Sequence, residues 1–150
     1  MEYRQLTQEE INVLENNNCW AENWDNVLVA EQFKPYSFHR VMFYGDIRLG
    51  EFEKQVEVSK GFFKHSGINN ATLRNVTVGD DCLIENIGNF INNYDIGSDC
   101  YISNICTMET TEGATFGEGA VISVLNEVGE GNVILFHDLN SQFAAFMVKH

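Results

Sequence analysis

The feature that most limits how this chain can fold is a self-similar stretch from Val78 to Ile134. Val78-Gly79-Asp80-Asp81-Cys82-Leu83-Ile84-Glu85-Asn86-Ile87 returns eighteen residues later as Ile96-Gly97-Ser98-Asp99-Cys100-Tyr101-Ile102-Ser103-Asn104-Ile105. A third copy opens at Phe116-Gly117-Glu118-Gly119-Ala120 after a step of twenty, and a shortened fourth runs Val128-Gly129-Glu130-Gly131-Asn132-Val133-Ile134. A fixed internal period outranks local propensity, because each repeat can bury its apolar face only against the next. Eighteen residues divide into three hexads, and an extended segment places alternate residues on one face. Three short strands per circuit would form a three-sided coil with residues eighteen apart in one column. Cys82 and Cys100, Asn86 and Asn104, Asn75 and Asn93, Val76 and Tyr94, and Val78 and Ile96 all have that offset. The glycines after the apolar residues suit corners, where positive φ is wanted.

These hexads resemble the hexapeptide repeat of the left-handed parallel β-helix superfamily. The handedness comes from the resemblance, since parallel crossovers are in general right-handed. The resemblance implies an all-β solenoid: a left-handed parallel β-helix with an N-terminal helical cap over residues 1–40, coils over 41–136 and a C-terminal helix over 137–150. It also implies flat faces that pack into a homotrimer. The superfamily holds acyltransferases, acetyltransferase domains of nucleotidyltransferases, zinc carbonic anhydrases and non-catalytic subunits, so it says more about fold than function. The whole chain further resembles the start of a longer uncharacterised bacterial family carrying such a helix.

Length and composition narrow the function. One hundred and fifty residues, 44% hydrophobic with a single proline, suit one folded domain. Nine Lys and Arg against twenty-two Asp and Glu give a formal charge of −13. That balance argues against a nucleic-acid partner, which needs compensating cations, and disfavours an anionic membrane surface. No apolar run approaches the ~20 residues of a membrane helix. Met1-Glu2-Tyr3-Arg4-Gln5 has no signal-peptide character. Cys19, Cys82, Cys100 and Cys106 contain no CxxC and read as buried thiols in a reducing, cytoplasmic setting.

Outside the repeat, Thr7-Gln8-Glu9-Glu10 has capping-box form and predicts a helix from about Gln8 to Glu15. Trp20 and Trp24 could together make a sugar platform or cover the open end of the core. Gln55 to Ser59 reads as a strand, and Gly61-Phe62-Phe63-Lys64-His65-Ser66-Gly67 departs from the period as a loop. Thr107 to Ala114 absorbs the two extra residues of the twenty-residue step. Ser141 could cap a helix with Phe143, Phe146 and Met147 on one face.

The candidate chemistry is sparse. The superfamily's acyltransferases use a histidine as general base, suited by its reference pKa of about 6.5. Of His39, His65, His137 and His150, His65 is the best placed, beside a Lys64 that could meet a cofactor phosphate. The competing reading is a surface loop without a role. His39-Arg40 reads as a surface pair, and His137-Asp138 as incidental, because neighbours in a strand face opposite ways. The histidines lack the close spacing of a zinc site, so no metal is expected. Asp80, Asp81, Asp99, Glu118 and Glu130 read as solvated corners rather than calcium ligands, and the asparagines as ladder partners.

Two functions fit. The first is a non-catalytic assembly or ligand-binding module of a larger transferase-like protein, without a cofactor, acting as a homotrimer or with the remainder of a longer chain. The alternative is an acyl- or acetyltransferase carrying acetyl-CoA to a sugar-like acceptor, with His65 as base and Lys64 near the cofactor. A sugar or nucleotide-sugar is the expected ligand class.

Overall fold

A computed structural model describes residues 2–111, 114, 119–123 and 132–134. The chain divides into two compact units, Met1–Thr110 and Thr111–His150.

In the first unit, β1 (Tyr3–Gln5) leads into the helix α1 (Gln8–Asn16). The capping box forms as the sequence predicts: the Glu10 amide donates to Thr7 Oγ1 at 3.3 Å, and the Thr7 amide donates to Glu10 Oε2 at 2.8 Å. Glu10 also chelates the Arg4 guanidinium at 2.9 and 2.8 Å. That hydrogen-bonded cation holds the Glu10 carboxyl below its ordinary value. Helix α1 buries Leu14 and stops at Asn17 and Asn18, the latter at φ +59°.

The strands that follow are β2 (Trp20–Ala21), β3 (Val27–Ala30), β4 (Phe38–Leu49), β5 (Gln55–Ser59), β6 (Phe62–His65), β7 (Gly67–Val78), β8 (Leu83–Glu85), β9 (Phe90–Ile96), β10 (Tyr101–Ser103) and β11 (Thr107–Glu109). Nine of these eleven strands form one sheet, in the order β1-β3-β4-β7-β8-β10, with β2 beside β4, and with β9 beside β7 and β11. Only the β1–β3 pair is antiparallel among them. β5 and β6 form a separate antiparallel hairpin.

The expectation of an all-β solenoid, a left-handed parallel β-helix with an N-terminal cap and a C-terminal helix, is corrected. The described structure is mixed α/β: a nine-stranded, mostly parallel sheet, a small hairpin and one helix. The period is right about pairing where the repeat is regular. Leu83 pairs with Tyr101, Val76 with Tyr94 and Val78 with Ile96, each at eighteen. Before the repeat, the offset is 30 at Phe38–Ile68 and 29 at Ile47–Val76, with a register shift between Tyr44 and Ile47. After it, strands built from the third and fourth copies, β12 (Val121–Ser123) and β13 (Asn132–Ile134), pair antiparallel within the second unit, so the parallel stack does not continue through them. The expected C-terminal helix lies outside the described residues, as do His137 and His150.

Inward columns make the core. Ala21, Phe43, Leu73, Ile91 and Met108 align across β2, β4, β7, β9 and β11. Val29, Leu49, Val78 and Ile96 form another. The largest of these are fully buried, and burying each such side chain stabilises by about 1.5–3 kcal/mol before entropic costs. Phe33, Phe38 and Phe52 close the packing, with ring centroids 5.1 and 5.0 Å apart.

Left-handed residues turn the strands, and asparagine holds them. Asn70, Asn86 and Asn104 have φ of +54°, +55° and +55°, and Asn75 and Asn93 have +50° and +56°. Asparagine tolerates this region better than other side-chain-bearing residues. The amides link up the stack: Asn70 donates to Asn86 at 3.4 Å, Asn86 to Asn104 at 3.5 Å, and Asn75 to Asn93 at 3.3 Å. Gly45 stands above Asn75 at φ +61°, and a Cβ there would lie 2.1 Å from Asn75 Oδ1, so the first rung takes glycine.

Candidate functional site

The hairpin explains where His65 and Lys64 point. Successive residues of β6 face opposite ways, so the two adjacent side chains serve different surroundings. His65 pairs with Gln55 across the hairpin. Its Nδ1 lies 2.7 Å from the Ser66 carbonyl oxygen and 3.3 Å from Ser37 Oγ. A carbonyl only accepts, so Nδ1 is the donor in that contact. His65 and His39 line one open recess of about 260 Å³ with Tyr36, Ser37, Ser66 and Asn69. Ser66 is buried and its Oγ has no hydrogen-bond partner among the described residues. His39 reads from sequence as a surface pair with Arg40. Its place opposite Asn69 in the β4–β7 register brings it to His65, and only the long-range pairing could have shown that.

Lys64 turns instead to Glu85, donating at 2.8 and 3.0 Å to its two carboxylate oxygens. Glu85 is buried on β8, and its hydrogen bond raises the Lys64 ammonium above its ordinary value. A second cation, Lys54, meets Asp81 Oδ2 at 2.7 Å and Asp99 Oδ1 at 3.7 Å. Asp81 also accepts the backbone N–H groups of Glu53 and Lys54, both at 2.9 Å. The repeat's acidic corner thus fastens the root of the hairpin rather than standing in solvent.

Two of the four thiols, Cys19 and Cys82, are buried as expected, whereas Cys100 is half-buried and Cys106 exposed. All four cysteines are free. Burial raises Cys82 to about 11 and also raises Cys19, which keeps both protonated and unreactive at neutral pH. Among the described residues, no three of His, Cys, Asp and Glu gather as metal ligands. No described helix is long and apolar enough to cross a membrane.

The two tryptophans part company. Trp24 packs on the core against Phe43, centroids 6.2 Å apart, and donates to Glu15 Oε1 at 3.2 Å. Trp20 is 49% exposed and leans on Tyr44 at 5.4 Å. Beside that pair, Glu22, Tyr44, Thr72, Arg74, Phe90 and Glu109 line an open recess of about 370 Å³ on the outer side of β4, β7, β9 and β11. Sequence periodicity missed this surface, because Tyr44 meets Arg74 only through the irregular offset of 30 between β4 and β7.

The family described as "Domain of unknown function (DUF4954)" matches residues 3–150. An "Uncharacterized protein" of Treponema pallidum (strain Nichols) is 30% identical over 145 residues, spanning 89% of this chain and 20% of the relative. This chain therefore spans about a fifth of the length of that relative. No solved structure matches.

Proposed function

We propose that this chain, which belongs to the DUF4954 family, is a non-catalytic assembly module of a longer protein, and that copies of it meet through the β5–β6 hairpin. The observation that carries this reading is the pair Phe62 and Phe63, 55% and 51% exposed on a two-stranded arm. Consecutive strand residues point to opposite faces, so the arm offers a phenyl ring on each side. A lone two-stranded hairpin is marginal in water and gains from being covered. Charge names the partner. Lys54 and Lys64 are already paired with Asp81 and Glu85, so the cation that the arm turns to a partner is Lys60, within a chain of formal charge −13. A second copy of this acidic chain complements such an arm.

Light scattering on the eluting chain tests this: the expected mass exceeds one chain and falls to one chain in the double variant Phe62→Ser/Phe63→Ser. A wild-type mass of one chain at the highest soluble concentration overturns it.

One observation favours a second reading, an acyltransferase using acetyl-CoA on a sugar-like acceptor with His65 as general base. The Nδ1–H bond to the Ser66 carbonyl orients the ring of a histidine that lines a recess, and a general base must be held in this way. Lys64, held by Glu85, would reach a cofactor phosphate only by leaving that carboxylate. A thermal-shift titration with acetyl-CoA is expected to raise the melting temperature of the wild type if this reading holds. No shift at millimolar ligand discards it.

A further inference from the structure

We infer that the outer face of β4, β7 and β9 is a binding site for a neutral saccharide. The face is rigid because its inward neighbours Phe43, Leu73 and Ile91 are buried. Outward, the register sets Tyr44, Arg74, Asn92 and Glu109 in one row, and Trp20, Met42 and Thr72 in the next, with Phe90 one residue before Ile91 on β9. Trp20 and Met42 are 49% and 46% exposed, unlike core aromatics and thioethers. The recess beside them, about 370 Å³, falls at the lower end of small-ligand sites.

Three features choose the ligand. The ring of a pyranose carries weakly positive C–H bonds, which match the negative face of an aromatic ring. Tyr44 and Phe90 supply such faces in the recess, and Trp20 extends Tyr44. Hydroxyl groups need both donors and acceptors, which Arg74, Thr72, Glu22 and Glu109 provide. Two carboxylates against one guanidinium leave the recess with a formal charge of −1, which repels phosphates and uronic acids.

A buried polar group points the same way. Asn92 is 7% exposed and stands between Arg74 and Glu109 in the row. Its Nδ2 donates to Glu109 Oε1 at 2.8 Å, while its Oδ1 has no partner among the described residues. Burying an unsatisfied acceptor is unfavourable, and here the amide fixes the Glu109 carboxylate at the recess. Asn92 is a positioning residue in this account. The site is separate from the hairpin contact and does not depend on it.

The test is a neutral glycan array followed by fluorescence titration with the tightest oligosaccharide, using a Trp24→Phe chain so that Trp20 reports alone. Saturable binding is expected, weakened roughly tenfold or more by Tyr44→Ala and by Arg74→Ala, the loss typical of one aromatic or charged anchor, with the circular dichroism unchanged. Asn92→Asp, which keeps the size but removes the amide donor, should weaken binding while leaving the Trp20 emission of the free chain unaltered. If no neutral glycan binds, if only a nucleotide diphosphate binds, or if affinity survives both Tyr44→Ala and Arg74→Ala, the assignment fails.

Discussion

Asp81→Ala should cost the domain about 2–3 kcal/mol, measured by urea unfolding, through the loss of one hydrogen-bonded carboxylate at a left-handed position. Asp81 is 7% exposed, sits at φ +55° and accepts from the amides of Glu53 and Lys54 as well as from the Lys54 ammonium. Alanine removes all three acceptor contacts and tolerates that φ poorly. Asp81→Asn keeps an acceptor and suits the backbone, so it should cost about 1 kcal/mol; Lys54 is itself exposed, and solvent screens its contribution.

The pH dependence follows from the same contacts. Burial pushes the Asp81 carboxyl up, but the Lys54 ammonium and the two amides together outweigh it and hold the group below its ordinary value. A depressed folded value means that the carboxylate stabilises the fold above the unfolded pKa of about 3.9 and loses that effect as pH falls through the folded value. The stability gap between wild type and Asp81→Asn should therefore be full at neutral pH and shrink below about pH 4. A gap that stays constant through the acid range would show that Asp81 is not held as a carboxylate by these partners.

Gly79→Ala should be nearly as damaging, at about 2–3 kcal/mol, because the added methyl has no room. A Cβ on Gly79 would sit 2.6 Å from the Ser98 amide nitrogen and 2.8 Å from the Gly97 carbonyl carbon, both backbone atoms of the next rung. The Gly79 amide itself donates to Ile96 at 2.8 Å, so relief by separation breaks the pairing. Gly97 is the equivalent residue of the next repeat, and a Cβ there meets nothing within 4 Å among the described residues. Gly97→Ala should then change stability by no more than about 0.5 kcal/mol. Equal costs at the two glycines, read from denaturation midpoints, would mean that the rungs do not stack as described.

Much of the local structure is legible in the residues. Thr7 and Glu10 specify their own helix start, because both partners of the capping box lie within four residues. The offset of eighteen correctly pairs Asn75 with Asn93 and Asn86 with Asn104, since repeated side chains at repeated backbone turns report one another. The overall architecture is not legible in the same way. A period describes which rungs touch while it lasts, and it carries no information on what lies before Gly67 or after Glu109. There the offsets change to 29 and 30, an antiparallel strand joins the sheet, and β12 pairs antiparallel with β13.

The candidate surfaces divide along the same line. His65 could be singled out because it sits in a segment that breaks the period, but His39 becomes its neighbour only through β4–β7 pairing. Lys64 reads as a cation open to a ligand until the fold supplies Glu85 from β8. Asp81 and Asp99 read as solvated corners; Asp99 is one, 72% exposed, whereas Asp81 is buried and held by Lys54. Tyr44, Arg74 and Phe90 carry no local signal at all, being ordinary outward strand residues gathered by register.

The pairing of rungs eighteen residues apart is the claim on which the sheet, its outer face and the glycine costs all rest. Nuclear Overhauser contacts between backbone protons test it directly in the labelled chain. Cross-peaks should join Leu83 to Tyr101 and Ile84 to Ile102 in a parallel pattern, together with Val76 to Tyr94 and Val78 to Ile96. Antiparallel cross-peaks between these pairs, or the absence of contacts at the offset of eighteen, would contradict it.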